Sequence, residues 1–250
     1  MKEVSLNKRL MAAISFLTIF PIEGKGVGKE ELGRSMALFP LVGLLLGLLL
    51  WLCAHAFEAA FPPTVNALFL LSLLSIFTRG IHLDGLADTL DALGGGKEKW
   101  EILRIMRDSQ VGTFGMIGLV LALMAKYLLI SQLIETKSTL SLLLFPTLGR
   151  WAMVYLTRFF PYVREEGKGI AFASYLKPED FWWATAIALL VSVFIQGLTG
   201  VGAMALVWIF SYAAGLYFVR KIGGITGDVI GAVGELAEIL SLSALVALIS

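Results

Sequence analysis

The stretch His82-Leu83-Asp84-Gly85-Leu86-Ala87-Asp88-Thr89-Leu90-Asp91 follows a long apolar segment and runs into Gly94-Gly95-Gly96. At 100° per residue on a helix, Asp84, Asp88 and Asp91 fall within about 60° of one another, so three carboxylates share one face. Such carboxylates repel each other and resist burial, and an ionised cluster calls for a compensating positive charge. Hard oxygen donors of this kind suit magnesium, calcium or manganese rather than zinc.

Around this stretch the chain is strongly apolar. Of 250 residues 58% are hydrophobic and 16% charged, with a mean hydropathy of +0.83; soluble domains carry about 25% charged residues. The composition predicts an all-α, polytopic membrane bundle forming a single domain over residues 1–250. A net charge of +1 offers no electrostatic basis for binding nucleic acid. The single cysteine, Cys53, rules out an intramolecular disulfide and reads as a packing residue in lipid. The first apolar run starts behind Lys8-Arg9 and ends at Phe20-Pro21 without a small-residue cleavage pattern. No cleavable signal is expected, and the mature chain is expected to begin near Met1.

A membrane crossing needs about 20 mostly apolar residues. Seven segments qualify, at about 36–57, 64–83, 111–135, 139–160, 180–198, 203–220 and 227–249. Residues 6–20 are shorter and stop at Pro21, which predicts an interfacial or half-inserted helix. Basic residues alternate between the ends of these segments. One side holds Lys2, Lys8, Arg9, Lys25, Lys29, Arg34, Lys97, Lys99, Arg104, Arg107, Arg164, Lys168, Lys177, Arg220 and Lys221, whereas the other has only Lys137. That asymmetry predicts seven crossings with a cytoplasmic N-terminus and an outside C-terminus. Gly43 and Gly47 have the spacing of a helix-packing groove, as do Gly227 and Gly231.

The polar loops of the basic side carry dense motifs. Lys97 to Arg107 reads as an amphipathic segment laying Trp100, Leu103 and Ile105 on the bilayer surface. In Arg107-Asp108-Ser109-Gln110-Val111-Gly112-Thr113-Phe114-Gly115, glycines and hydroxyls could let backbone amides approach a phosphate, but an ordinary helix start at Asp108 or Ser109 reads the same way. The loop Phe160–Gly169 offers Arg164 and Lys168 to an anion, or is simply solvated. Lys126 and Arg150 lie within apolar sequence, where a cation is costly and either functional or paired; Arg150 is the functional candidate, and Lys126 reads as snorkelling or structurally paired. Gly223-Gly224-Ile225-Thr226-Gly227-Asp228 leads into Glu235 and Glu238, within about 80° of Asp228 and roughly 10 and 15 Å along a helix from it. These two glutamates enter the membrane, to meet Arg150, a metal or a ligand cation, or to form a purely structural acid–base pair.

Carboxylates suited to a metal, loops rich in Gly and Arg, and a shared membrane face point to phosphoryl transfer on an amphiphilic or membrane-associated substrate. A secondary transporter is the alternative of a different class, with Lys126, Arg150, Glu235 and Glu238 lining its path. A scaffold without catalysis would leave the aspartates without purpose.

These motifs, in this order, resemble the cobalamin synthase family, the adenosylcobinamide-GDP ribazoletransferases. The resemblance covers nearly the whole chain: Phe16-Leu17-Thr18 with Pro21, His82 to Asp91, Arg107-Asp108-Ser109 with Gly112 and Gly115, Gly149-Arg150, Pro161-Tyr162 with Arg164, and Thr226-Gly227-Asp228 with Glu235 and Glu238. Arg107 stands where Lys is as frequent, and Ala92 where Gly is. The resemblance implies that a hydroxyl of α-ribazole, or of its 5′-phosphate, attacks the phosphorus attached to adenosylcobinamide and expels GMP, with Mg2+ as cofactor. It assigns Asp84, Asp88, Asp91, Asp228, Glu235 and Glu238 to the metal, Asp84, Asp88 or His82 to catalysis, and Arg107, Asp108, Ser109, Arg150, Arg164 and Lys168 to substrate. It further implies a bacterial or archaeal inner-membrane enzyme with its active site facing the cytoplasm, as a homo-oligomer or in complex with other cobalamin-assembly enzymes. The aspartate spacing is also similar to that of CDP-alcohol phosphotransferases, although Asp88 stands where that family has Arg; a lipid phosphotransferase is the alternative enzyme.

Overall fold

In hydrocarbon a chain must satisfy its own backbone polar groups, so long runs of Leu, Val, Ile and Ala without breakers become helices. A computed structural model of the protein describes residues 5–21 and 28–249, apart from the side chains of Lys168 and Ile249. Among the described residues there are eleven α-helices: α1 (Leu6–Leu17), α2 (Lys29–Arg34), α3 (Phe39–Glu58), α4 (Pro63–Phe77), α5 (Ile81–Gly95), α6 (Lys99–Ile105), α7 (Thr113–Glu135), α8 (Leu144–Phe159), α9 (Lys168–Tyr175), α10 (Pro178–Ile222) and α11 (Gly227–Ile249).

Among the described residues, five stretches are long and apolar enough to cross a membrane: Lys29–Glu58, Thr113–Glu135, Thr139–Phe159, Pro178–Ile222 and Gly227–Leu248, with α4 and α5 together as a bent sixth. This is a multi-pass membrane protein. The 45 residues of α10 would extend about 68 Å, more than twice the hydrocarbon thickness. The helix is broken at Gly197 (φ 55°, ψ −131°). Ser192 Oγ lies 3.9 Å from Met204 Sδ, 12 positions on, where a straight helix would separate the two residues by about 18 Å. The chain therefore folds back at Gly197, which yields the two segments expected at 180–198 and 203–220.

The segment expected to cross at 64–83 is shorter. The helix ends at Phe77, and α5 leaves it at an angle of 88°. Arg79 (φ 56°) and Gly80 (φ 61°) make this turn in the left-handed region, while Thr78 Oγ1 donates to the Leu74 carbonyl at 2.9 Å. Arg79 reaches back to the carbonyls of Ser15 and Phe16 at 3.4 and 3.1 Å, placing a cation at the C-terminal end of α1. The aspartate-bearing helix is thus not a continuation of the crossing helix. The 12 residues of α1 span about 18 Å, short of a crossing.

Every residue of α8 from Leu144 to Thr157 is buried, with α3, α10 and α11 as its main neighbours. Gly47 is part of the packing groove expected from its spacing, since a Cβ there would stand 2.6 Å from the Leu142 carbonyl oxygen. Large apolar side chains instead face outward on α4, α7 and α10, among them Ile76, Leu121 and Phe194. Of the three α6 side chains expected on the bilayer surface, Trp100 points outward, whereas Leu103 and Ile105 pack against the core. Contacts also sort the helix ends. Lys137 pairs with Glu58 and Gln196 Nε2 donates to Ser141 Oγ at 2.7 Å at one end of the bundle, opposite the loops that follow α4, α6 and α8.

Within the bundle, Lys126 of α7 donates to Glu235 of α11 at 2.5 Å and also to Glu238, and Arg150 of α8 donates to Glu238. All four side chains are at least nine-tenths buried. Two positive and two negative charges cancel, so the structural acid–base pairing is the reading realised. Arg150 is not free for substrate, Glu235 and Glu238 are not left for a metal, and the four residues do not line an open path. Gly149 permits this approach, because a Cβ there would stand 2.6 Å from Glu238 Cγ.

Breaking a buried ion pair from one side typically costs about 3–5 kcal/mol, because the remaining charge is uncompensated. Glu238→Gln is expected to lower the thermal midpoint of the detergent-purified protein sharply, whereas Glu58→Gln, at an exposed pair, should leave it unmoved; thermal unfolding of both variants tests this.

Candidate active site

The turn at Arg79-Gly80 lays α5 across the start of α11, and two glycines let the backbones touch. A Cβ on Gly85 would stand 2.9 Å from the Asp228 carbonyl oxygen, and one on Gly231 would stand 3.3 Å from His82 Cα. Asp84 and Asp228 therefore flank a close backbone contact. Thr226 caps α11, accepting a hydrogen bond from the Val229 amide at 3.2 Å. This puts Asp228 in the first turn, where the helix dipole favours a negative charge.

The loop after α8 is aligned by a short parallel pairing: Ile225 N–H donates to the Pro161 carbonyl at 2.8 Å, and Val163 N–H to the Ile225 carbonyl at 3.0 Å. Gly223 (φ 86°) ends α10 in the left-handed region. At Gly224 a Cβ would meet Val163 Cγ1 at 2.8 Å. The glycine pair thus serves chain reversal and close approach. The result is that Arg164 Nη2 donates to Asp228 Oδ2 at 2.5 Å and to the Met106 carbonyl at 3.3 Å, while its Nε is buried without a protein partner.

These elements enclose a cavity of about 300 Å³. Asp84, Asp228, Arg164, Glu166, Tyr162 and His82 line one part, and Phe16, Met36, Phe39, Met153 and Phe172 another. His82 is buried, and its Nδ1 has no hydrogen-bond partner. One turn beyond Asp84, Asp88 is half-buried; burial first, then the neighbouring Asp84 and Asp228, push its carboxyl up to about 7. Negative charge is crowded here, and the site favours a cation.

Asp91 is engaged elsewhere. It accepts hydrogen bonds from the Gly112 and Gly115 amides at 2.7 and 2.8 Å and so caps α7, which starts at Thr113 rather than at Asp108 or Ser109. The amides that could have met a phosphate already hold this carboxylate. Both glycines are needed for the fit, since a Cβ on Gly112 would stand 2.9 Å from Asp91 Cγ and one on Gly115 would stand 2.9 Å from the Ala87 carbonyl oxygen. Arg107, Asp108 and Ser109 are exposed and do not line the cavity; Asp108 Oδ1 accepts from the Gln110 amide at 3.1 Å. The Lys168 side chain lies outside the described residues.

The six carboxylates expected to bind metal thus divide into three groups: Asp84, Asp88 and Asp228 near the cavity, Asp91 on α7, and Glu235 and Glu238 with their cations. Among the described residues, no three Asp, Glu, His or Cys side chains form a ready-made cation cage. Reading the sequence missed Glu166, Phe39, Phe172 and the anchoring Arg79. The aromatic residues come from separate elements and carry no local motif that could have grouped them.

Comparison with known proteins gives the family. A family model described as cobalamin-5-phosphate synthase matches residues 9–246. A protein of Geotalea daltonii named adenosylcobinamide-GDP ribazoletransferase is 42% identical over 94% of this chain and 96% of its own. Proteins of the same name from Roseiflexus sp. and Herpetosiphon aurantiacus are 37% and 36% identical, over 93% and 97% of this chain and 87% and 98% of theirs. No solved structure matches. With nearly its whole length matched, and with aspartates, an arginine and a histidine gathered on one cavity in an apolar bundle, the chain belongs to the cobalamin-5-phosphate synthase family.

Proposed function

We propose that this protein joins α-ribazole, or its 5′-phosphate, to adenosylcobinamide-GDP with release of GMP, in the nucleotide-loop assembly of vitamin B12, and that the α5–α11 cavity is where it does so. The relatives' names supply the reaction. The observation that carries the site is the meeting of Asp84, Asp228 and Arg164 at one cavity with Asp88 beside them. A hydroxyl oxygen of the acceptor forms a bond to the phosphorus attached to cobinamide. The bond from that phosphorus to the GMP oxygen breaks, and GMP leaves with the electron pair.

Magnesium fits the donor set. It is usually held by one or two carboxylates, with phosphate oxygens and water completing its shell, so a full protein cage is not required. Asp84, Asp88 and Asp228 would hold it, and their mutual repulsion is what a divalent cation relieves. Bound there, it would neutralise phosphate oxygens during transfer. Arg164, held by Asp228 and the Met106 carbonyl, presents a guanidinium to the phosphate. The proton of the attacking hydroxyl goes to His82 or to one of the aspartates, which share the site with it.

We place the site at the cytoplasmic face of the inner membrane. The loops around it hold nearly all the chain's Lys and Arg, whereas the opposite end has Lys137 alone, paired with Glu58. Reporter fusions at residues 95 and 165 should report the cytoplasm and those at 137 and 200 the outside; an outside location for residue 95 would overturn this orientation.

Asp84→Asn and Asp88→Asn should keep the yield and thermal midpoint of the parent but lower GMP release by about 100-fold or more. Removing magnesium should abolish release, and adding it back should restore it. Near-normal turnover in either variant would remove the metal assignment, and CMP release from a CDP-alcohol would identify a lipid phosphotransferase instead.

A further inference from the structure

The cavity has two unlike ends. At its rim, Asp84, Glu166 and Gly227 are exposed, with Arg164 beside Asp228. At its inner end Met36 and Met153 (each 1% exposed), Phe39 (2%) and Phe172 (4%) are shut away from solvent. The three aromatic rings form one wall: Phe16 and Phe172 meet edge-on at 4.6 Å, Phe39 and Phe172 at 5.5 Å, and Phe16 and Phe39 lie nearly parallel at 6.0 Å. We infer that this inner end is the acceptor subsite, taking the planar aromatic base of the nucleoside so that its sugar hydroxyl meets the carboxylates, while the corrinoid donor stays at the rim. This rests on the transferase reading above.

Size, charge and polarity each support that occupant. A volume of about 300 Å³ is at the small end of ligand sites and suits a nucleoside; a corrinoid with its side chains is several times larger. Among the described residues Arg164 is the one Lys or Arg lining the cavity, and it stands at the rim against Asp228, so a pyrophosphate at the inner end would be left unpaired. The guanine of the donor is a poor fit for the same reason. It presents several exocyclic and ring hydrogen-bonding groups, whereas the Phe and Met side chains that line this end offer it no nitrogen or oxygen partner, and unmet polar groups weaken binding. A benzimidazole has ring nitrogens alone and a flat π-face, which aromatic walls and methionine sulfur hold well.

The test is steady-state GMP release by the full-length protein in proteoliposomes, with each substrate varied in turn. Phe172→Leu keeps an apolar side chain but removes the ring, and Phe16→Leu is the second variant should the first not fold. The KM for α-ribazole should rise about 10-fold with kcat and the donor KM unchanged, and Phe172→Trp should restore it. Free 5,6-dimethylbenzimidazole should compete with α-ribazole and not with the donor, and should do so more weakly in the leucine variant. A rise in the donor KM instead, or no change in either, would overturn the subsite while leaving the transferase reading in place. Absence of GMP release by the parent protein would remove the transferase reading itself.

Discussion

Two cations and two carboxylates buried in an apolar bundle have no water to turn to, and their mutual neutralisation fixes three helices at once. Lys126 on α7 and Arg150 on α8 both bond to α11. Pairing in this environment sets rotation as well as position, because a turned helix would expose an unpaired charge to hydrocarbon. Glu235 follows Asp228 by seven residues, which puts the two on nearly the same face and about 10 Å apart. Locking Glu235 onto Lys126 therefore also fixes the direction in which Asp228 leaves the helix. The acid at the cavity is aimed by an acid two turns deeper.

Close approach of α5 and α11 is the second condition. Gly85 and Gly231 lie at the contact, and glycine inside a helix carries a conformational cost of roughly 0.5–1 kcal/mol relative to alanine. Packing offsets it, since small residues let membrane helices meet backbone to backbone. The left-handed pair Arg79-Gly80 brings α5 into this position, and the Arg79 side chain ties the same turn to the end of α1. In this way Phe16, at that end of α1, comes to line the cavity that His82 and Asp84 also line.

The membrane bundle was legible because hydropathy and loop charge are properties of long segments, and errors at single residues average out. The lining of the candidate cavity was legible in residue type. Asp84, Asp88, Asp228, Arg164 and His82 all lie where the sequence suggested chemistry, since charged groups beside a bilayer need a reason to be there. What each carboxylate faces was not legible. A helical wheel puts Asp91 with Asp84 and Asp88 and puts Glu238 near Asp228, but it contains nothing about the neighbouring helices. Only the tertiary structure shows that one carboxylate sits on the amides of Gly112 and Gly115 and the other on Lys126 and Arg150. The break at Phe77 was hidden for a related reason: no proline marks it, Ile81 and Leu83 carry apolar character past it, and the turn depends on two left-handed residues, one of them an arginine.

Helix α7 links these observations. Its first turn receives Asp91 from α5, and Lys126, fourteen residues after Gly112 and so about 21 Å along, receives both glutamates of α11. One helix thus braces α5 and α11 from behind, at two separate depths, through contacts that leave Asp84, Asp88 and Asp228 unused. The acids at the cavity come from helices whose spacing is set without them, so repulsion among them is held in place by the fold and is not relieved by relaxation. A group kept in this crowded, partly desolvated state favours whatever cation reaches it. The structural charges and the charges at the cavity are of the same chemical kind; they differ in that the first set is neutralised in full by the protein, whereas at the cavity Arg164 pairs with Asp228 alone.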